Sequence, residues 1–589
     1  MPRRFFLSPS HRLRSALAVI LLSAGASHAV ANDKTGQNLL ISGTTGAYYF
    51  VNDFAGAGIF YGAEYFGATT VIANVEGGHI WAGHEVFDRS AFSLPSGPTH
   101  YVSHGSGDTS TPDPSKLDLH ATAVGHVLAG TGWNGEGLSY LGVGMAPFAE
   151  LWSGAIATEF STTDPGAFSI TTESFLSPYK TFFNGDLGRK PDVINSSWGY
   201  TDPAGNAYET KVIDGLAKQN STVAMVFAAG NSGPDANTVG GAGTGYNVIT
   251  VGSVGGPDFK TPSTLSSSGP SDFYKPETGD TIAGVRATVH LAAPGEQQVL
   301  AYYGGTGGSG GVTDPEDPLP TDLYLLEASG TSFAAPIVSG GIALLKDVAY
   351  QGAYSLGSEA FDSRVMRSVL MAGTVATHGW NNGQTLVDDV VRTTQSLDHV
   401  TGAGALDLTR SVSIYALGTS DVAGTGGGSV DFRGWDFGTV SLDGYNDYFF
   451  SPSFDVFEES IELTISLNWF VNRSFDNDTD IASEESFANL NLEIWSVTDG
   501  VFNRLIGTSE SLYNNSEFLR MNLQVGEEYG FRVRFDGVIY DINHGLFEES
   551  YSVAWMVVPE PSTWALMGMA IVICFVRRRG RAVSPIRSI

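Results

Sequence analysis

The chain has 589 residues, 42% hydrophobic and 16% charged, enough apolar material for two to four folded domains and too much for a disordered chain. Its 31 Lys and Arg stand against 62 Asp and Glu, a formal net charge of −31, which argues against nucleic-acid binding and suits an exported protein or one that meets divalent cations. The one cysteine, Cys574, lies near the end, so the body of the chain has no disulfide and no thiolate metal site; core size, hydrogen bonding and a structural calcium are the remaining stabilisers.

Four arginines (Arg3, Arg4, Arg12 and Arg14) precede an apolar run at 16–22, and Ala29-Val30-Ala31 forms a small-x-small site. This is the pattern of an export signal over 1–31, with an apolar run too short to span a bilayer. From 32 to 415, apolar runs at 71–75, 192–195, 223–228 and 248–251 predict buried strands. They alternate with predicted helices at 121–129, 208–218 and 333–345. That alternation implies an α/β fold with a largely parallel sheet covered on both faces, whose sites lie at the carboxyl ends of strands.

The strongest local signal is Gly330-Thr331-Ser332-Phe333-Ala334-Ala335-Pro336, a serine at a tight turn that opens an Ala-rich helix. The helix N-terminus places the hydroxyl in a positive local field. The heptamer resembles the nucleophile motif of subtilisin-like serine peptidases (subtilases), Gly-Thr-Ser-x-Ala-x-Pro, and matches it at every fixed position. The resemblance implies that Ser332 is a nucleophile. A serine needs a base, and His120 heads a small-residue helix, 121–125. This stretch resembles the subtilase His-Gly-Thr-His-Val-Ala motif, with Ala121 and Ala123 in place of the glycine and second histidine. Gly144 to Leu151 resembles the Gly-Val-Ala-Pro-x-Ala-x-Leu segment that follows it.

The base in turn needs an acid to hold its tautomer. Where the family has strand-Asp-x-Gly, this chain has Val71-Ile72-Ala73-Asn74-Val75-Glu76-Gly77-Gly78, so the acid is Glu76, one methylene longer. Phe227-Ala228-Ala229-Gly230-Asn231-Ser232-Gly233 resembles the Ala-Ala-Gly-Asn motif, which implies that Asn231 donates to an oxyanion. Asn195-Ser196-Ser197-Trp198-Gly199 resembles the edge that pairs with extended substrate, implying substrate contacts at Ser197, Trp198 and Gly199. Trp198 fits either a pocket wall or the core. Further matches at 247–253, 292–295 and 402–407 keep the family order, so the resemblance covers about residues 68–410. Two departures stand out. About 40 residues separate the signal from the Glu76 strand, where many secreted relatives carry a larger propeptide. A Gly/Asp/Pro-rich insert at 303–320 precedes the nucleophile.

Residues 416–557 change character to alternating apolar and polar runs, the pattern of an antiparallel β-sandwich, and resemble the jelly-roll modules that follow some bacterial subtilase domains. Asp476, Asp478 and Asp480 alternate as calcium-loop ligands do, but no glycine and glutamate follow at EF-hand spacing, which favours a solvated acidic loop. The tail 558–589 begins Val558-Pro559-Glu560-Pro561-Ser562-Thr563, continues as an apolar run at 564–576 and ends in Arg577-Arg578-Arg579 and further arginines. It resembles the PEP-CTERM sorting signal. That implies transient association with the inner membrane of a Gram-negative bacterium, cleavage by an exosortase-like enzyme, and delivery to the envelope or exterior. The resemblances together imply an exported serine endopeptidase acting on protein or peptide through an acyl-enzyme, with a Ser-His-Glu variant of the triad. The alternative is a subtilase-fold surface protein with impaired catalysis that serves as a binding or scaffold module.

Overall fold

The computed structural model describes residues 54–133, 138–161, 163, 166–303, 309, 323–354, 356–418, 425–451 and 461–559. The export signal expected at 1–31, most of the insert at 303–320 and the sorting tail from residue 560 onward lie outside the described residues.

The expected alternation of buried strands and helices is present. In chain order the main elements are β1 (Val71–Glu76), β2 (His100–Ser103), α1 (Leu119–Ala129), β3 (Glu150–Ala155), α2 (Thr172–Asn184), β4 (Val193–Ser196) and α3 (Tyr208–Gln219). They continue as β5 (Ala224–Ala228), β6 (Ile249–Gly255), β7 (Leu291–Pro294), α4 (Thr331–Tyr350) and α5 (Ser363–Ala372). The strands form one parallel sheet in the order β7-β6-β5-β4-β1-β3-β2. Short antiparallel strands at Gly107–Thr109 and Thr261–Pro262 add to it, making nine strands.

The central strands are buried along nearly their whole length and mostly apolar because both faces are covered. Val71, Ala73 and Val75 of β1 pack with Phe175, Tyr179 and Val212 from α2 and α3. Ile72 points the other way, into a cluster with Val124 of α1 and Ile337 of α4. Helix α4 runs beyond the expected 333–345 because the polar residues that end its apolar pattern are satisfied inside the fold. Lys346 Nζ donates to the carbonyls of Asp192 (2.8 Å) and Thr222 (2.6 Å), and the Asp347 carboxylate accepts from Gly67 and Thr69. Among the described residues α4 is the one helix long and apolar enough to cross a membrane, and 94% of its most apolar window is buried in this core.

The C-terminal part is built from antiparallel strands, as its alternating pattern predicts. A hairpin, β8 (Thr385–Val387) and β9 (Val390–Thr393), precedes β10 (Arg433–Ser441), β11 (Tyr445–Phe450), β12 (Ile461–Trp469), β13 (Asn472–Asp476) and β14 (Ile481–Thr498). Strands β15 (Val501–Ser509), β16 (Ser516–Leu523), β17 (Glu528–Asp541) and β18 (Glu548–Pro559) complete it. One sheet has the order β10-β18-β12-β16. The other runs β8-β9-β15-β14-β17-β11 and ends on a short strand, Gly428–Val430, with β13 on β14. Leu463, Ile465 and Trp555 of the first meet Leu490, Leu492 and Phe531 of the second in a shared core.

The two parts are bound by more than surface contact. The β8–β9 hairpin joins the second sheet through a parallel pairing of β9 with β15. The Arg473 guanidinium is buried and bonds to Asp214 of α3 at 2.8 Å and Glu484 of β14 at 2.7 Å. Arg367 of α5, also buried, donates to the carbonyls of Tyr246 (2.7 Å), Trp469 (3.1 Å) and Asn515 (3.2 Å). In the loop with the alternating aspartates, Asp480 pairs with Lys180 of α2 at 2.6 Å, and Asp476 accepts from the Asp478 amide at 2.8 Å. Among the described residues no group of three or more His, Cys, Asp or Glu side chains is placed to hold a metal ion.

Candidate active site

Glu76 is the last residue of β1, at the carboxyl edge of the sheet, and only 1% of it is exposed. Its Oε2 accepts from His120 Nδ1 at 3.2 Å, and its Oε1 accepts from the Ser197 amide at 2.8 Å. Parallel register explains the second bond: Asn74 lies opposite Asn195, so the chain leaving β4 passes beside Glu76. His120 stands in the first turn of α1, whose N-cap is Asp118. A third of its side chain, 32%, meets solvent.

Burial pushes the Glu76 carboxyl above the ordinary glutamate value, while the His120 ring and the Ser197 amide pull it back. For His120 burial acts downward, but the Glu76 hydrogen bond and charge, with the Asp118 charge, outweigh it and leave the imidazole more basic than an ordinary histidine.

Ser332 is the second residue of α4 and is 8% exposed. Its hydroxyl donates to the Ser197 carbonyl at 3.4 Å, and Ser197 Oγ returns a 3.0 Å bond to the Ser332 carbonyl. Among the described residues no hydrogen bond joins Ser332 to His120. The ring of Phe333, the residue after Ser332, is 6.0 Å from the imidazole.

Asn231 follows β5 and is held by its carbonyl. Oδ1 accepts from the Thr331 amide at 2.9 Å and the Thr331 hydroxyl at 3.0 Å, and that hydroxyl accepts from the Gly230 amide at 3.0 Å. With Oδ1 committed, Nδ2 is the free end of the side chain. A Cβ at Gly330 would sit 3.4 Å from it, an ordinary contact, so Nδ2 adjoins the turn that opens α4. The Ser332 amide, in the first turn, has no intrahelical acceptor. Asn231 Nδ2 and the Ser332 amide are therefore two available donors at the start of α4.

A cleft of about 570 Å³ opens here, lined by Ser197, Trp198, Gly199, Asn231, Thr238 and Gly240 among others. A second, of about 320 Å³, is lined by Phe168, Ile170, Trp198, Tyr200 and Glu209. Trp198, 8% exposed, is packed edge-on to Phe175 and Phe227 and lines both clefts, so the two readings of this residue converge: it belongs to the core and walls two pockets.

All seven residues singled out from the sequence thus gather at one edge of the sheet. Sequence reasoning missed the double role of Ser197, which touches the acid with its amide and the serine with its hydroxyl. It also missed Thr331 as the anchor of Asn231. The signal for the latter was present in the Gly-Thr-Ser triplet. Chemically, the arrangement supplies a hydroxyl, an oriented proton acceptor and a pair of amide donors, the parts required for acyl transfer.

A family model described as the subtilase family (Peptidase_S8) matches residues 41–404, and one for the PEP-CTERM protein-sorting motif matches 557–581. Among solved structures, the prenylagaramide maturation protease PagA is similar at 18% identity and a TM-score of 0.40, over 62% of this chain and 99% of that one.

Proposed function

Because the chain belongs to the subtilase family of serine peptidases and carries a PEP-CTERM sorting signal, we propose that it is an active exported endopeptidase that cleaves peptide bonds through an acyl-enzyme, with Ser332, His120 and Glu76 as its triad. The observation that carries this reading is the 3.2 Å bond between His120 Nδ1 and the buried Glu76 carboxylate. It fixes the tautomer so that Nε2 is the free acceptor.

In the reaction, substrate pairs along Ser197 to Gly199 with a side chain in the larger cleft. A change of rotamer frees the Ser332 hydroxyl from the Ser197 carbonyl. Ser332 Oγ attacks the scissile carbonyl while His120 takes its proton; Asn231 Nδ2 and the Ser332 amide receive the oxyanion. The imidazolium, stabilised by Glu76, then protonates the leaving amine, and water repeats the sequence on the acyl-enzyme. The polar-to-apolar order of the tail fits cleavage by an exosortase-like enzyme after passage through the inner membrane, with the export signal at 1–31 starting that route.

The Ser332–Ser197 bond also favours a second reading, a protein whose serine is parked and which acts as a binding module. A fluorophosphonate probe separates the two. Mature protein that labels, with no labelling in Ser332→Ala or His120→Ala, supports the enzyme. Folded protein that labels no better than Ser332→Ala refutes it.

A further inference from the structure

We propose, on the reading that His120 is the base, that Asp118 is a positioning residue for it: a second buried carboxylate that fixes the first turn of α1 and adds negative charge beside the imidazole. Asp118 is 6% exposed. Its Oδ2 accepts from the Ala121 amide at 2.9 Å, and its carbonyl accepts from the Thr122 hydroxyl at 2.7 Å. These bonds set the helix start on which His120 stands.

The same residue is laced to the turn that carries the acid. Its amide donates to the His79 carbonyl at 2.9 Å, and the His79 amide donates to the Lys116 carbonyl at 2.6 Å. A Cβ on Gly78 would lie 2.6 Å from Asp118 Cβ, so this close approach requires a glycine two residues after Glu76. Asp118 therefore joins the acid's turn to the base's helix.

The charged groups acting on the ring are Glu76, from β1, and Asp118, from its own helix start. Both carboxylates favour the imidazolium. From α4 the neighbour is the neutral Phe333 ring. Lys116 turns its ammonium outward to the His104 carbonyl at 3.0 Å. Burial pushes His79 down to about 3, which leaves it neutral. Burial pushes both the Glu76 and the Asp118 carboxyl groups toward their neutral forms, and the His120 charge draws both back, so the two carboxylates share the support of the imidazolium.

The test uses Asp118→Asn and Asp118→Ser, which both keep an N-cap and lose the charge. The His120 ring is titrated by NMR in the full chain carrying Ser332→Ala, and the pH dependence of kcat/KM is measured with Ser332 intact. The proposal expects the His120 midpoint to fall by about one pH unit in both variants. The acid limb of kcat/KM should move down with it, and Asp118→Glu should restore both. An unmoved His120 midpoint beside a lowered melting temperature would mean that Asp118 is only a helix cap and would overturn the proposal. The ring titration needs no turnover. An inactive wild type would count against the peptidase reading without deciding this one.

Discussion

Shortening Glu76 to aspartate, the acid of the family motif, is expected to damage this site. The substitution withdraws the carboxylate by one C–C bond, about 1.5 Å. Starting from 3.2 Å, the gap to His120 Nδ1 opens to roughly 4.5 Å, out of hydrogen-bond reach. The 2.8 Å bond from the Ser197 amide is lost in the same way. Strand β1 is held against following the shorter side chain, because it is paired with β3 through Glu76 itself and with β4 through Asn74. At roughly 100-fold in rate per 1 Å of misplacement, Glu76→Asp should lower kcat/KM at least about 100-fold, or about 2.7 kcal/mol of barrier. Leaving the buried Ser197 N–H without an acceptor should cost a further ~1–3 kcal/mol of stability. The assay is hydrolysis of a fluorogenic peptide, normalised to active sites by titration with a covalent serine probe, alongside a thermal melt. A variant that matches or exceeds the wild type in kcat/KM refutes the reasoning. It would mean that the backbone yields and that the site is not fitted to the longer acid.

Asn231→Ala should lower kcat by about 10²–10³-fold through loss of one oxyanion donor, measured with the same peptide and little change in KM. The wild-type kcat/KM should rise with pH through a midpoint above the ordinary histidine value of 6.5, because His120 must be neutral to accept the serine proton and its neighbours raise its affinity for one; a midpoint below 6.5 counts against the Glu76–His120 pair. Arg473→Met leaves Asp214 buried without its partner and should destabilise the full chain by about 3–5 kcal/mol, with Asp214→Asn in the same chain recovering part of the loss in denaturant melts. Burial raises the Glu549 carboxyl from 4.5 to about 7, so the folded chain holds a proton that the unfolded chain gives up, and this contribution is lost as pH rises through about 7. Glu549→Gln should therefore raise the melting temperature at pH 8 relative to wild type and change it less at pH 5.

The site was legible where the chemistry ties a residue to a strand end or helix start. Ser332, His120, Asn231 and Glu76 each sit at such a junction, and the apolar runs around them carry enough pattern to place strands and helices. What the sequence could not convey depends on register between distant segments. The Ser197–Glu76 bond exists because β4 lies beside β1 with Asn195 opposite Asn74, a pairing across 121 positions. The role of Trp198 needed the position of Phe168 and Thr238 on its two sides. The β8–β9 hairpin gives no local sign that its partner is β15, more than a hundred residues away. Helix α4 outran its apolar pattern because Lys346 and Asp347 find partners on other elements, and such partners are invisible in a linear pattern.

The shared sheet formed by β9 and β15 bears on what a cut would do. Proteolysis between residues 418 and 425 would sever the covalent link between the peptidase part and most of the β strands. It would leave intact the β9–β15 pairing, the Arg473 bonds to Asp214 and Glu484, and the Arg367 bonds to both parts. A nicked molecule should keep its size in gel filtration and separate into two bands only in denaturant, so a shortened band on a denaturing gel is no evidence that the peptidase has shed its companion.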